Sequence, residues 1–154
     1  MIWQAGGMDG IVEAIAIAKR RGELPEAVEA VTAVTGAGLD GEYHFDEAGA
    51  PGIGITLIAA EDLAGLRADT GIELDHAGSR RNVLTAGIDL NALVGHRFAV
   101  GAAECEGVEL CEPCRGLERM TEPGVLRGLV HRGGLRADVV AGGAIRVGDP
   151  VRAA

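Results

Sequence analysis

Aromatic side chains are nearly missing from this chain: one Trp, one Tyr and two Phe make 3% of its 154 residues. A core must therefore be assembled from Val, Ile, Leu and Ala, which interlock through many small contacts rather than a few large rings. No apolar run approaches the roughly 20 residues that a membrane-spanning helix needs. The start of the chain also lacks a basic segment followed by an apolar one, so no export leader is expected. There are three cysteines, an odd number without framework spacing, which suits a reducing compartment; a soluble, cytoplasmic protein is the expectation. Basic charge is scarce as well. The formal net charge is −9, which argues against general nucleic-acid binding, because that depends on neutralising phosphates. Internal repeats, low-complexity tracts and linkers are absent.

Glycine is plentiful, at 25 residues, and hydrophobic residues make up 47%. That pairing suits short strands with tight corners better than a helix bundle, and the length suits one domain. Residues 1–7 match no periodic pattern and read as an extension, with the domain running over 8–152. Charge is uneven: residues 1–70 hold 12 acids and 4 bases, whereas 71–154 hold 11 and 10. Arginine outnumbers lysine 13 to 1. Its planar guanidinium can make two hydrogen bonds at once to a phosphate.

The reactive chemistry is concentrated in Leu110-Cys111-Glu112-Pro113-Cys114-Arg115, at a strand-to-helix turn. If Pro113 opens the helix, Cys114 lies in the first turn, where free N–H groups and the positive dipole end favour a thiolate. Arg115 and Arg119 add positive charge there, Glu112 opposes it, and Leu117 and Met120 share one helical face. Cys105, within an apolar segment, reads as a small buried hydrophobe. Zinc is disfavoured, since the cysteines and His44, His76, His96 and His131 show no paired ligand spacing. A dithiol formed by Cys111 and Cys114 stays open.

Further patterns place the elements. Residues 10–18 favour a strand, and Val28, Val31 and Val34 mark an ambiguous element. Ile53, Ile55 and Leu57 alternate as a strand, followed by a short acidic-capped helix from Glu61. Arg80-Arg81-Asn82 leads into an apolar strand as a candidate anion clamp. Asp89 caps a single helical turn. Val125 to Val130 suggests a helix, and Leu135–Val140 and Ile145–Val147 closing strands joined through Gly142-Gly143. No βαβ alternation is evident. The architecture expected is mainly β, an antiparallel barrel with a few short helices.

Several pieces, in order, resemble a single-domain MOSC protein, the family named after the C-terminal domain of molybdenum-cofactor sulfurase. They are Gly38-Leu39-Asp40-Gly41, Arg80-Arg81-Asn82-Val83, Gly87-Ile88-Asp89-Leu90-Asn91, Pro113-Cys114, Arg132-Gly133-Gly134-Leu135-Arg136-Ala137 and Gly142-Gly143-Ala144-Ile145-Arg146-Val147-Gly148-Asp149. The resemblance implies a MOSC-type β-barrel whose cysteine, Cys114 by position, ligates molybdenum in a pterin-bound cofactor (molybdopterin) or carries sulfur as a persulfide. It implies that Arg80 and Asn82 hold the pterin phosphate, with Arg81, Arg115 and Arg132 as further cofactor-binding candidates. The activity implied is reduction of N-hydroxylated compounds, with a small-molecule substrate and an electron-transfer protein. The alternative is a persulfide carrier or cofactor-transfer module. No pyridoxal-phosphate domain is present in these residues, so sulfur would come from a separate donor. Glu42 and Tyr43 stand where many relatives have an Asp and a basic residue. Cys111 stands where close bacterial relatives often have a charged one.

Overall fold

The computed structural model describes residues 9–154, so the reading of residues 1–7 as an extension lies outside the described residues. Eleven strands are present among the described residues: β1 (Asp9–Ile17), β2 (Glu26–Val28), β3 (Ala30–Val34), β4 (Gly38–Leu39), β5 (Ile55–Ala59), β6 (Val83–Ala86), β7 (Arg97–Val100), β8 (Ala103–Leu110), β9 (Leu135–Ala141), β10 (Gly143–Arg146) and β11 (Pro150–Ala153). Seven of them run β11-β7-β8-β9-β5-β6-β1, and a further β1–β11 pairing closes the barrel. Closure removes the open edges at which an eleven-strand protein would otherwise be vulnerable to pairing with another chain. β1 makes it possible by changing partners along its length. Its first residues pair with β11, its middle with β6 across a bulge between Val12 and Ala14, and its end with β2. The extra residue of a bulge tightens the local twist, which a closing strand needs.

The interior is filled by aliphatic side chains from every strand of the barrel, among them Val12, Leu57, Val83, Val100, Leu135 and Val151, with Phe98 as the one aromatic. Alternation is clear in β9, whose Leu135, Ala137 and Val139 point inward. β5 differs. Ile55, Leu57, Ile58 and Ala59 are all buried, because one face lines the barrel and the other is covered from outside.

The covering layer is helical: α1 (Ala60–Thr70), α2 (His76–Ser79), α3 (Arg115–Met120) and α4 (Val125–Gly128). A second cluster, Leu66, Ile72, Leu117, Val125 and Leu129, joins α1, α3 and α4. Asp89 caps the 3-10 turn Leu90–Leu93 by accepting from the Asn91 N–H at 3.1 Å, as its sequence position predicts.

Two expectations need correction. β5, α1 and β6 do form a βαβ unit, with Leu57 beside Val83 in a parallel pair; α1 extends further than its short apolar signal indicates. β9 and β10 are consecutive yet make no hairpin. β10 pairs with β3, and with β4 they form a separate three-stranded sheet. The Gly142–Gly143 turn redirects the chain because it is wedged against carbonyls of Ala33 and Ala102, leaving no room for side chains.

One glycine is demanded by the site described below. Gly134 has φ +106, and a Cβ there would overlap the Leu57 carbonyl oxygen. We expect Gly134→Ala to destabilise the protein by at least about 2 kcal/mol in urea unfolding, from backbone strain and overlap together. A shift under about 0.5 kcal/mol, the size of an ordinary surface substitution, would mean that this close approach is not required.

Candidate functional site

β8 ends at Leu110, and the Cys111 N–H donates to the Gly134 carbonyl at 2.7 Å, so the thiol-bearing turn begins pinned to the start of β9. Pro113 is buried and lies before the helix, contrary to its expected place as first helical residue. Cys114 itself is the N-cap, with φ −130 and ψ 169, and its Sγ accepts from the Leu117 N–H at 3.5 Å. The side chain is exposed. The sulfur therefore sits at the end of α3, facing an N–H that a Ser or Asp cap would otherwise engage. α3 has only six residues, so its dipole is short and local hydrogen bonding matters more. Leu117, 2% exposed, anchors α3 in the helical cluster, whereas Met120 is 50% exposed and does not share that buried face. A Cβ at Gly116 would stand 3.5 Å from the Cys114 Sγ and 3.9 Å from the Arg119 Nη2, ordinary contacts that place thiol and guanidinium on either side of this position.

The three sulfurs have different environments. Cys105 is fully buried in the barrel core, and burial, followed by Glu104 and Asp138, pushes its thiol up to about 12. Cys111 is buried and Cys114 exposed, and all three are free thiols. The reading of Cys105 as a packed hydrophobe therefore agrees with its surroundings.

Arg81 organises the surroundings of the turn. It is 9% exposed; Nε donates to the Gly133 carbonyl at 2.8 Å, Nη2 to the Cys111 carbonyl at 2.9 Å and Nη1 to the Ser79 carbonyl at 3.2 Å. One guanidinium thus ties together segments 79–82, 111–114 and 132–134. Burial works against its charge, the Cys111 sulfur offsets part of that penalty, Arg136 adds to it, and Cys114 offsets a little more. A guanidinium remains protonated even so.

Among the described residues two non-glycines have left-handed backbone, Arg80 with φ 61, inside the first of these segments, and His131 with φ 62, immediately before the third. Arg80 ends α2, and its guanidinium reaches the β1–β2 loop, donating to the Glu23 carbonyl at 2.7 Å and the Gly22 carbonyl at 3.5 Å. His131 is held by Glu112, whose carboxylate accepts the His131 N–H at 2.7 Å and lies 2.7 Å from Nδ1. Glu112, expected only to oppose the positive charge near Cys114, is also a clamp on the loop before Gly133.

The remaining predicted site residues are dispersed. Asn82 is buried and turned to its neighbours: Oδ1 accepts from the Thr56 N–H and hydroxyl, both at 3.1 Å, and Nδ2 donates to the Ala16 carbonyl at 3.2 Å. It stitches β5 to β1 beside β6. Arg132 turns onto α1, where Nη1 pairs with Asp69 at 2.8 Å. Arg115 is exposed in a groove with Glu118, Arg119 and Leu126. His76 lies beside the Arg81–Asn82 backbone with its Nε2 unpartnered among the described residues. Burial lowers its pKa against the pull of that backbone.

Residues that sequence reasoning missed are the carboxylates serving as backbone clamps. Glu42 is buried, accepts the Ala18 N–H at 2.7 Å and holds His44 Nδ1 at 3.1 Å. Glu118 accepts from the N–H groups of Gly124 and Leu126, starting α4. In sequence each is simply one more acid.

An exposed thiol at the end of β8, supported by the β9 turn and an inward arginine, is the arrangement against which known proteins can be compared. A family model, the MOSC domain, matches residues 44–152, more than half of the chain. The chain belongs to the MOSC domain family. No curated protein matches it. Among solved structures, the YuaD protein of Bacillus subtilis is similar at a TM-score of 0.81 and 19% identity, over 94% of each chain. YiiM of Geobacillus stearothermophilus is similar at 0.73 and 14%, covering 94% of this chain and 75% of that one. YiiM of Escherichia coli follows at 0.69 and 15%, covering 94% and 69%. At these identities the structures share the MOSC chain's fold and nothing finer is taken from them.

The side chains of this MOSC barrel fit a molybdenum-pterin group in part. Cys114 supplies an exposed, soft sulfur donor, the type that suits such a metal. Arg80 keeps N–H donors beyond the two it uses, since a guanidinium has five. Asn82 has its oxygen doubly engaged and one of its two amide N–H donors used, which leaves one N–H at most. Among the described residues no three His, Cys, Asp or Glu side chains converge on a metal position. No helix among the described residues is long and apolar enough to cross a membrane.

Proposed function

We propose that Cys114 is the sulfur at which this MOSC protein works, as the protein ligand of a molybdenum-pterin cofactor in a small oxidoreductase that reduces N-hydroxylated compounds. The single observation supporting it is the Arg81 cross-brace, which holds the exposed thiol turn beside the segment carrying Arg80. When bound, the cofactor would supply the redox centre. Cys114 would hold it by sulfur, Arg80 would offer spare N–H groups to its phosphate, and Arg115 and Arg119 would add positive charge at the open rim. Overall, an N–OH group takes two electrons and two protons and becomes N–H and water. The electrons come from a partner protein.

A second reading has its own support. Asn82 is spent on strand contacts, which weakens the phosphate clamp, while a persulfide on Cys114 would need only an exposed sulfur with a nearby donor. In that case Cys114 carries sulfur from a separate donor to an acceptor.

Protein from a host that makes the cofactor, supplied with a chemical reductant, should convert an N-hydroxylated amidine to the amidine. Cys114→Ala should abolish this and Cys105→Ala should retain it. An active Cys114→Ala variant would rule out the proposal. An inactive wild type that carries extra sulfur on Cys114 would favour the carrier.

A further inference from the structure

The face of α3 and α4 has features that the thiol chemistry alone does not require. Two open grooves, of about 630 Å³ and about 270 Å³, share Glu118 and Leu126 and so form one trough, which begins at Arg115, the residue after Cys114. Arg115 and Arg119 line one part and Arg127 the other. Among the described ion pairs none involves these three arginines. The nearest acid in the trough, Glu118, is turned to the backbone N–H groups of Gly124 and Leu126. Glu112 is held by His131. Apolar surface accompanies the charge: Val130 is 47% exposed and Met120 50%.

We infer that this trough is a docking surface for the acidic face of a partner protein that reaches Cys114. The inference rests on the proposed function, because a working thiol or metal here must meet an electron or sulfur donor. Charge complementarity selects the occupant. On a chain of net charge −9, three arginines in no described ion pair stand against Glu118 and the exposed Glu122, a local excess of positive charge. An acidic protein is repelled by much of the remaining surface and attracted to this part, which favours one orientation. The floor is open and partly apolar, with Leu126 and Val130 among its lining residues. That combination suits a protein surface with acids around an apolar contact.

The probes are two synthetic peptides, one rich in Glu and one rich in Lys, each with a single cysteine activated as a thiopyridyl disulfide. Exchange with Cys114 releases thiopyridone, and its absorbance reads the rate. The Glu peptide should react about tenfold faster or more than the Lys peptide at low salt. The preference should collapse at about 0.5 M salt and in Arg115→Glu/Arg119→Glu/Arg127→Glu. Equal rates, or a preference that survives in the triple variant, overturn the inference. Neutral dithiodipyridine measures the thiol alone, and loss of reactivity there counts against the proposed function instead. Binding of the unactivated Glu peptide to Cys114→Ala, read by fluorescence anisotropy, reports docking without chemistry. It should survive in that variant and vanish in the triple one. If duplex DNA displaces the peptide as readily as an acidic protein does, the protein-partner assignment is wrong.

Discussion

Replacing Arg81 with Met should cost about 3–5 kcal/mol of folding stability, a large part of what a domain of this size possesses. The substitution keeps much of the volume and removes every donor. Three backbone carbonyls, of Ser79, Cys111 and Gly133, lose partners 2.8 to 3.2 Å away inside the protein. Removing the desolvation cost of the guanidinium recovers some of this, which is why the expected loss is smaller than the sum of three charge-assisted bonds. Arg81→Lys should restore little, since one ammonium cannot reproduce a planar fork aimed at three oxygens. Urea denaturation followed by circular dichroism measures it. A Met variant within about 0.5 kcal/mol of wild type would show that the brace is not structural.

The second large effect concerns thiol reactivity. In the native protein iodoacetamide should label Cys114 alone, giving one adduct per chain, and in denaturant it should label all three cysteines. Cys114 is exposed, while Cys105 and Cys111 are 0% and 2% exposed. With the Cys105 thiol pushed up to about 12, its reactive thiolate at neutral pH is scarcer by about 10³-fold than that of an ordinary cysteine. Peptide mapping after brief labelling settles the order. Native labelling of Cys105 or Cys111 at the Cys114 rate would mean that the barrel opens readily, or that the cysteines were ranked wrongly.

Much of the barrel was legible in the sequence, because the alternation of Ile53, Ile55 and Leu57, the glycine corners and the Asp89 cap are local signals. What escaped was non-local. β10 leaves β9 for β3 because of backbone crowding against Ala33 and Ala102, which no window of sequence displays. The β5–α1–β6 crossover was hidden because α1 buries only Leu66 and carries no clear apolar stripe. At the site, residue type identified Cys114 correctly as the exposed thiol next to arginines. Arg80-Arg81-Asn82, read together as a candidate anion clamp, take three different directions in the fold. The left-handed turn at Arg80 sends Arg81 inward to carbonyls and Asn82 between strands, leaving Arg80 with donors to spare. Polar residues in sequence advertise hydrogen-bonding capacity, and only the fold decides whether the chain itself uses it up.

On the proposed function, Cys114 holds the working group. Protein purified from a host competent in cofactor synthesis should carry molybdenum in stoichiometric amount, measured by elemental analysis with intact mass, and Cys114→Ala should carry none. Molybdenum retained in Cys114→Ala, or wild-type protein with neither molybdenum nor added sulfur, would contradict the account.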